Sequence, residues 1–450
     1  MKAKKKCLFT LMALLLVLSP LTATHAAEQF FPMLIYRTGP YAAGGTGFYG
    51  GLEDYYALLN KRDGGVGGVK LTWEECETAY NADRGVECYE RLKNNGGGAT
   101  IVQPMSTPIT YRLIERATAD KIPVMTMGYG RTDASDGRVF PYVFPIVTNY
   151  WSQNTAKIKY IALKEGGLDK LKGKKIAHLY HDSGYGKETI PILDLQALKY
   201  GFEVQHFPVP PPGLDQKATW LQIARLFKPD WVILRGWGVM NPTALKEAAR
   251  VGFPANRIVG VWWSGAEEDV IPAGSAAVGF VAAGFHPSGS DFPVIREILD
   301  VVYGAGEGNI SPQRVGTIYY NRGIIAGIIT VEAMRLAQKK FGPGKRITGE
   351  QMRWGMENLN IKADAIKALG AEGLMSPIKV SCFDHEGGGA VKFQEWDGKK
   401  WNIVTDWIET DQSIVRPLIE SSAAAYALEK GISVRGGKGA DPYGSNCGGK

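Results

Sequence analysis

The chain has 450 residues, of which 45% are hydrophobic and 22% charged, with a formal charge of +7. That length allows two domains. The charge is mild and long runs of lysine or arginine are missing, which argues against nucleic acid or another polyanion as a partner.

The N-terminus reads as an export signal. Lys2, Lys4, Lys5 and Lys6 form a positive stretch, and Leu8 to Leu18 is almost wholly apolar but too short to span a bilayer comfortably. Thr24-His25-Ala26 offers small residues at the usual positions, so cleavage is expected after Ala26, with a periplasmic mature protein. Cleavage removes four lysines and no acid, and the formal charge falls to +3. Cys7 precedes the apolar run and so is not placed as a lipid-modified cysteine. Four cysteines remain. In an oxidising compartment Cys76 and Cys88 could form a local bridge or stay as thiols. No CxxC pair suggests a metal. Cys382 reads as a buried thiol, and Cys447 lies in a tail.

From the mature start, strands and helices alternate. Phe31–Tyr36 reads as a strand and Tyr49–Lys61 as a helix stopped by Asp63-Gly64-Gly65. Strands Val69–Trp73, Thr100–Gln103 and Pro123–Met127 follow, with helices Asn81–Asn94 and Thr107–Asp120 between them. A second block repeats the pattern. Its helices are Trp151–Lys164, Lys187–Tyr200, Thr219–Phe227 and Thr243–Val251. Its strands are Lys175–Tyr180, Phe202–Pro208, Trp231–Arg235, Ile258–Trp262 and Val278–Gly284. The order implies an α/β fold with doubly wound, mostly parallel sheets, and two blocks imply two lobes around a cleft. Pro287–Arg314 reads as loop and helix, Thr317–Lys340 and Thr348–Leu359 as helices. Val380–Phe383 and Ala390–Trp396 read as a hairpin around Asp384-His385-Glu386-Gly387-Gly388-Gly389. From about Glu420 the chain reads as a flexible tail.

Strand ends opening into loops are where α/β folds gather ligands. Gly45-Thr46-Gly47-Phe48-Tyr49-Gly50 is a literal GxGxxG between a strand and a helix, with Glu74 and Glu75 near the end of the next strand. Alone this suggests a dinucleotide site. Against it stand the long loop after Tyr36 and export to where nicotinamide cofactors are not maintained. The milder reading is a glycine-rich helix start offering amides to an anion. Ser106-Thr107 precedes a helix, where Thr107 serves as an N-cap, as a carboxylate donor, or as both. Thr126-Met127-Gly128-Tyr129-Gly130 follows the next strand in the same way. His181, Asp182 and Tyr185 end a strand of the second block, but no GxSxG-type nucleophile accompanies them. His178 reads as a core residue. Asp384-His385-Glu386, adjacent on a turn, is not expected to hold a metal. Trp237, Trp262 and Trp263 follow strand ends and suit either ordinary packing or the apolar walls of a ligand site.

Together these features resemble the periplasmic substrate-binding proteins of ABC transporters, in the branched-chain amino acid (Leu/Ile/Val-binding, type I) class. The resemblance spans about Phe30 to Asp411. It rests on Thr38-Gly39-Pro40, Asn81-Ala82-Asp83-Arg84, Ile122-Pro123-Val124, His181-Asp182 with Tyr185-Gly186, and Pro229-Asp230. It implies two Rossmann-like lobes joined by a three-crossing hinge. The lobes are expected at residues 27–148 with 285–378, and 149–284 with 379–419, followed by a 420–450 tail. It also implies a ligand held by Ser106, Thr107, Gly128, Tyr129, Gly130 and Tyr185, with further walls near Trp237, and Tyr41, Trp263 and Ser264 complete the expected ligand-binding set. One departure matters. Amino-acid binders of this class present an acid to the ligand ammonium from the loop matching Trp262-Trp263-Ser264-Gly265, where this chain has Ser264, with Glu267 and Glu268 nearby. An unpaired ammonium is expensive to bury, so an aromatic or short-chain carboxylate, or an amide, becomes plausible. The expectation is a monomeric, non-catalytic protein without cofactor or metal, delivering a small ligand to ABC permease subunits. A receptor-linked sensor and an NAD-dependent oxidoreductase are the alternatives.

Overall fold

The computed structural model describes residues 27–436 and Cys447. The predicted cleavage site, and Ser433–Lys450 apart from residues 433–436 and Cys447, lie outside the described residues. The first layer contains β1 (Glu28–Ile35), α1 (Ala42–Asp63), β2 (Lys70–Glu77), α2 (Ala82–Leu92), α3 (Thr107–Asp120), β3 (Val124–Met125) and β4 (Val143–Phe144). β1 pairs with β2 in parallel from Glu28↔Lys70 to Ile35↔Glu77, and β3 pairs with β4 in parallel. The strand expected at Thr100–Gln103 is reduced to a bridge from Val102 to Val124.

The second layer contains α4 (Tyr150–Glu165), β5 (Lys175–His181), α5 (Gly184–Lys187), α6 (Ile190–Tyr200), β6 (Glu203–Val209), α7 (Lys217–Leu221), β7 (Trp231–Arg235), α8 (Met240–Arg250), β8 (Ile258–Gly260), α9 (Glu267–Val270) and β9 (Val281–Gly284). Strands β6, β5, β7, β8 and β9 are all parallel. The chain then crosses back through α10 (Pro293–Ile298), α11 (Ile318–Phe341), α12 (Gly349–Glu357), β10 (Asn360–Ile361), α13 (Ala363–Ala368) and β11 (Ile378–Lys379). It returns for β12 (Ala390–Trp396), β13 (Trp401–Ile403), β14 (Ile408–Glu409) and α14 (Gln412–Lys430). The expected two-lobed α/β architecture with three crossings is therefore present. The expected hairpin is not. β11 pairs with β10, while β12 joins the second sheet against β9 and forms its hairpin with β13.

Two further expectations are corrected. α1 begins at Ala42, so the GxGxxG lies inside a helix rather than opening one, and its amides serve the helix. The glycines allow a close crossing of α1 and α11. A Cβ on Gly51 would sit 2.1 Å from the Tyr320 carbonyl oxygen, and one on Gly323 would sit 2.0 Å from that of Phe48. Second, the chain after Glu420 is not a loose tail as far as Lys430, because α14 spans both lobes. Its Val415 and Ile419 pack on Trp151 and Ile192, while its Ala423, Tyr426 and Ala427 pack on Ile114, Ala134, Val139 and Phe140. The apolar residues recur three and four apart, which puts them on one helical face. Ion pairs from Arg416 to Asp136 and from Lys430 to Glu115 add to this strap. Among the described residues no helix is long and apolar enough to cross a membrane.

Cys76 and Cys88 form a disulfide joining β2 to α2. Cys382 is not a free thiol but is bonded to Cys447.

Candidate functional site

The loops leaving the strand ends of the two lobes meet around a small cavity. Tyr80, Met105, Thr107, Tyr129, Tyr150, Tyr185, Trp237 and Trp263 line it, and their atoms leave ≈ 190 Å³ between them. The centre of a water molecule can occupy ≈ 10 Å³ of that space, room for about one water. A larger groove at the crossings, lined in part by Val147, Phe285, Pro377 and Trp407, offers ≈ 290 Å³ by the same measure. None of its lining side chains carries a buried polar atom without a partner. The interlobe cavity is different, as its hydrogen bonding shows.

The lobes are latched around it. Trp262 Nε1 and Trp263 Nε1 both donate to the Gly128 carbonyl, at 2.6 and 3.1 Å. Tyr41 Oη lies 2.8 Å from His181 Nε2. Glu188 accepts from Thr132 Oγ1 at 2.5 Å, from the Thr132 amide at 3.3 Å and from the Tyr111 hydroxyl. Burial pushes the Glu188 carboxyl up, while the Thr132 and Tyr111 hydrogen bonds pull it back down. Close backbone approach makes these contacts possible. A Cβ on Gly128, which has φ +68°, would meet Trp262 Cζ2 at 2.9 Å.

The sequence-predicted residues divide into three groups. Thr107, Tyr129, Tyr185, Trp237 and Trp263 line the cavity. Ser106, Gly128, Gly130 and Tyr41 support it from behind. Ser106 caps α3 by accepting from the Ile109 amide at 3.4 Å, the Gly130 amide donates to Thr107 Oγ1 at 3.3 Å, and Tyr41 stacks on Trp237 with centroids 6.1 Å apart. Ser264 stands apart, with its hydroxyl donating to the Val261 carbonyl at 2.8 Å inside its own turn. Tyr80, Met105 and Tyr150 were not anticipated. Tyr150 occupies the first turn of the crossing helix α4, and Tyr80 follows the end of β2, so a stricter use of the strand-end rule would have found Tyr80.

No carboxylate lines the cavity. Glu267 accepts from the Ile318 amide, Glu268 pairs with Arg314 at 2.8 Å, and Asp269 accepts from Tyr319 Oη at 2.7 Å and from Asn241 Nδ2 at 2.8 Å. Burial pushes the Glu267 and Asp269 carboxyls up to about 7. Donors, by contrast, are in surplus. Trp237 Nε1 and Tyr150 Oη are buried without a partner, an arrangement that native proteins avoid unless something else satisfies it. Thr107 Oγ1 accepts one hydrogen bond and keeps its own proton to give. Tyr185 and Tyr129 already spend theirs on the carbonyls of Gly236 and Met125. The cavity thus has aromatic walls, uncommitted donors at Trp237, Tyr150 and Thr107, and no anionic acceptor, which suits a small ligand bearing oxygen acceptors.

His181 and Asp182 do not form a catalytic pair. His181 is held by Tyr41 and Ser183, and Asp182 by Lys187. His385 lies between the Val143 carbonyl and Glu357. Among the described residues no group of three or more His, Cys, Asp or Glu side chains is arranged to hold a metal.

Burial of His181 lowers its pKa to about 4. Its ordinary value is about 6.5, so between those values the unfolded chain binds a proton that the folded one refuses, and stability falls as pH falls. Buried carboxyls such as Asp269 titrate in the opposite sense, so the test is a difference. Relative to His181→Gln, the wild type should lose about 3 kcal/mol between pH 7 and pH 4, measured by denaturant unfolding. Parallel pH profiles would contradict this.

A family model described as "Periplasmic binding protein" matches residues 28–400. No curated protein matches the sequence. Among solved structures, a Pseudomonas fluorescens group protein described as an ABC transporter permease is 48% identical, with TM-score 0.85, covering 91% of this chain and 99% of that one. A branched chain amino acid ABC transporter protein from Thermus thermophilus with bound valine is 22% identical, with TM-score 0.73, covering 87% of this chain and 98% of that one. An R. palustris solute binding protein in complex with benzoate is 17% identical, with TM-score 0.66, covering 86% and 98%. The last two show likeness of fold alone.

Proposed function

Because the chain belongs to the periplasmic binding protein family and is the extracytoplasmic solute-binding component of an ABC uptake transporter, we propose that its interlobe cavity takes a small carboxylate or amide without an α-amino group. The observation that carries this reading is the donor surplus. Trp237, Tyr150 and Thr107 line a space with no carboxylate to receive an ammonium, and Trp237 Nε1 and Tyr150 Oη have no partner within the protein. The relatives with bound valine and with bound benzoate frame the choice between an acid with an amino group and one without it.

The remaining assignments follow from this reading. Thr107, Tyr129, Tyr185, Trp237 and Trp263 contact the ligand. Tyr41, Ser106, Gly128 and Gly130 hold those contacts in place, and Ser264 supplies no charge. The lobes comprise residues 27–148 with 285–378, and 149–284 with 379–419. The mature protein begins at Ala27 after signal cleavage, is a periplasmic monomer, carries no nucleic acid, and passes its ligand unchanged to permease subunits.

A ligand bound between two lobes binds the native state alone, so it stabilises by about 2.7 kcal/mol at a hundredfold excess over Kd. A thermal-shift screen of short-chain acids, aromatic acids and amides should show such stabilisation without turnover. Thr107→Ala should weaken an anionic ligand at least about tenfold, the usual cost of losing a hydrogen bond to a charged group. A response to nicotinamide nucleotides alone would defeat the transport reading.

A further inference from the structure

Arg235 ends β7 and is wholly buried. Its guanidinium carbon lies 3.6 Å from the centroid of the Tyr150 ring and 4.5 Å from that of Tyr185, and both rings line the cavity. Nε and Nη2 donate to the Tyr185 carbonyl at 3.3 and 2.9 Å, while Nη1 has no partner. No carboxylate is ion-paired with it among the described residues. Glu188, the acid that feels its field, is occupied by Thr132 and Tyr111.

Other buried or half-buried arginines find an acid. Arg131 pairs with Asp133, Arg138 with Asp136, and Arg353 with Glu357. The second exception is Arg322, also buried and 4.3 Å from the ring centroid of Trp263, another wall residue. Its Nη1 donates to the Trp262 carbonyl at 3.3 Å, and its Nε meets His286. Two guanidinium groups without an ion-pair partner therefore stand directly behind the aromatic walls. Arginine cannot escape by losing its proton, whereas Lys157, buried near Arg235, is pushed well below its usual range. A buried charge without a counter-ion costs several kcal/mol unless something compensates it.

We propose that Arg235 makes the cavity selective for an anion. The ligand binds as its carboxylate against the Tyr150 hydroxyl, in the field of the guanidinium stacked on that ring, and the isosteric neutral amide is rejected. This rests on the reading of the cavity as a small-acid site and narrows it. Arg235 acts through Tyr150 and the local field and is a positioning residue, not a direct ligand contact.

The experiment is calorimetry on the full mature protein with matched pairs, benzoate with benzamide and isovalerate with isovaleramide. For any acid that binds, the wild type should prefer it to its amide at least tenfold. Arg235→Met should bring that ratio within about threefold, and Arg235→Lys should restore part of it. A merely structural role would weaken acid and amide alike and leave the ratio unchanged, and that result overturns the inference. If Arg235→Met does not fold, the wild type still decides. Titrations in buffers of different ionisation enthalpy should show no proton uptake with the acid, while uptake of one proton per ligand would mean that the neutral acid binds and would overturn the inference. If amides bind and acids do not, the small-ligand reading survives and the anion claim is lost. If neither member of any pair binds, both are lost.

Discussion

Trp237→Ala should all but abolish ligand binding and cost about 3–5 kcal/mol of stability, the usual range for deleting a buried tryptophan. Trp237 is 3% exposed and stands where the lobes meet. It stacks on Tyr41 with centroids 6.1 Å apart, and it meets Trp263 edge-on at 5.3 Å and Tyr319 at 5.9 Å. Its ring approaches α1 so closely that a Cβ on Gly44 would sit 2.4 Å from it. Its removal takes away one cavity wall, one unpartnered donor and part of the closed interface together. A loss of at least about thirtyfold in affinity is expected, since truncating a buried aromatic anchor costs about 2 kcal/mol or more. Trp237→Phe separates the contributions, because it retains most of the wall and lacks the N–H. Calorimetry and denaturant unfolding of both variants check this. Unchanged affinity in Trp237→Ala would place the ligand elsewhere.

The second large effect concerns the Cys382–Cys447 bridge, which closes a loop 65 residues apart in sequence and encompasses β12, β13, β14 and α14. On loop-closure entropy it contributes about 4 kcal/mol, against about 3 kcal/mol for the 12-residue separation of Cys76 and Cys88. Cys447→Ser should therefore lower stability more than Cys88→Ser, and reductant should erase the difference between each variant and wild type. Thermal unfolding with and without reductant reads this out. A Cys447→Ser protein that unfolds like wild type would contradict it.

The alternation of strands and helices was legible because it depends on local periodicity. What was missed depends on tertiary packing. Glycine is a poor helix former, so the Gly44–Gly51 run read as a helix start. It is helix interior because only glycine lets α1 cross α11 at that distance. The Cys382–Cys447 pairing joins segments whose proximity exists only after folding, and connectivity does not follow from spacing. Of the residues lining the cavity, Thr107, Tyr129, Tyr185, Trp237 and Trp263 were legible because they follow strand ends. Met105 reaches the cavity through backbone with φ of 43°, a conformation uncommon without glycine and silent in the sequence. Arg235 read simply as the last residue of a strand. Its role emerges only when Tyr150, from the crossing helix, is laid against it.

The most direct test of the central claim is calorimetry with valine and isovalerate, which share a branched chain and differ in the α-amino group. With no acid on the cavity wall, isovalerate should bind more tightly, because the ammonium of valine would lose its water without gaining a partner. Tighter binding of valine would show that a nearby carboxylate, Asp269 or Glu267, turns inward to serve the ammonium, and that the cavity is an amino-acid site after all.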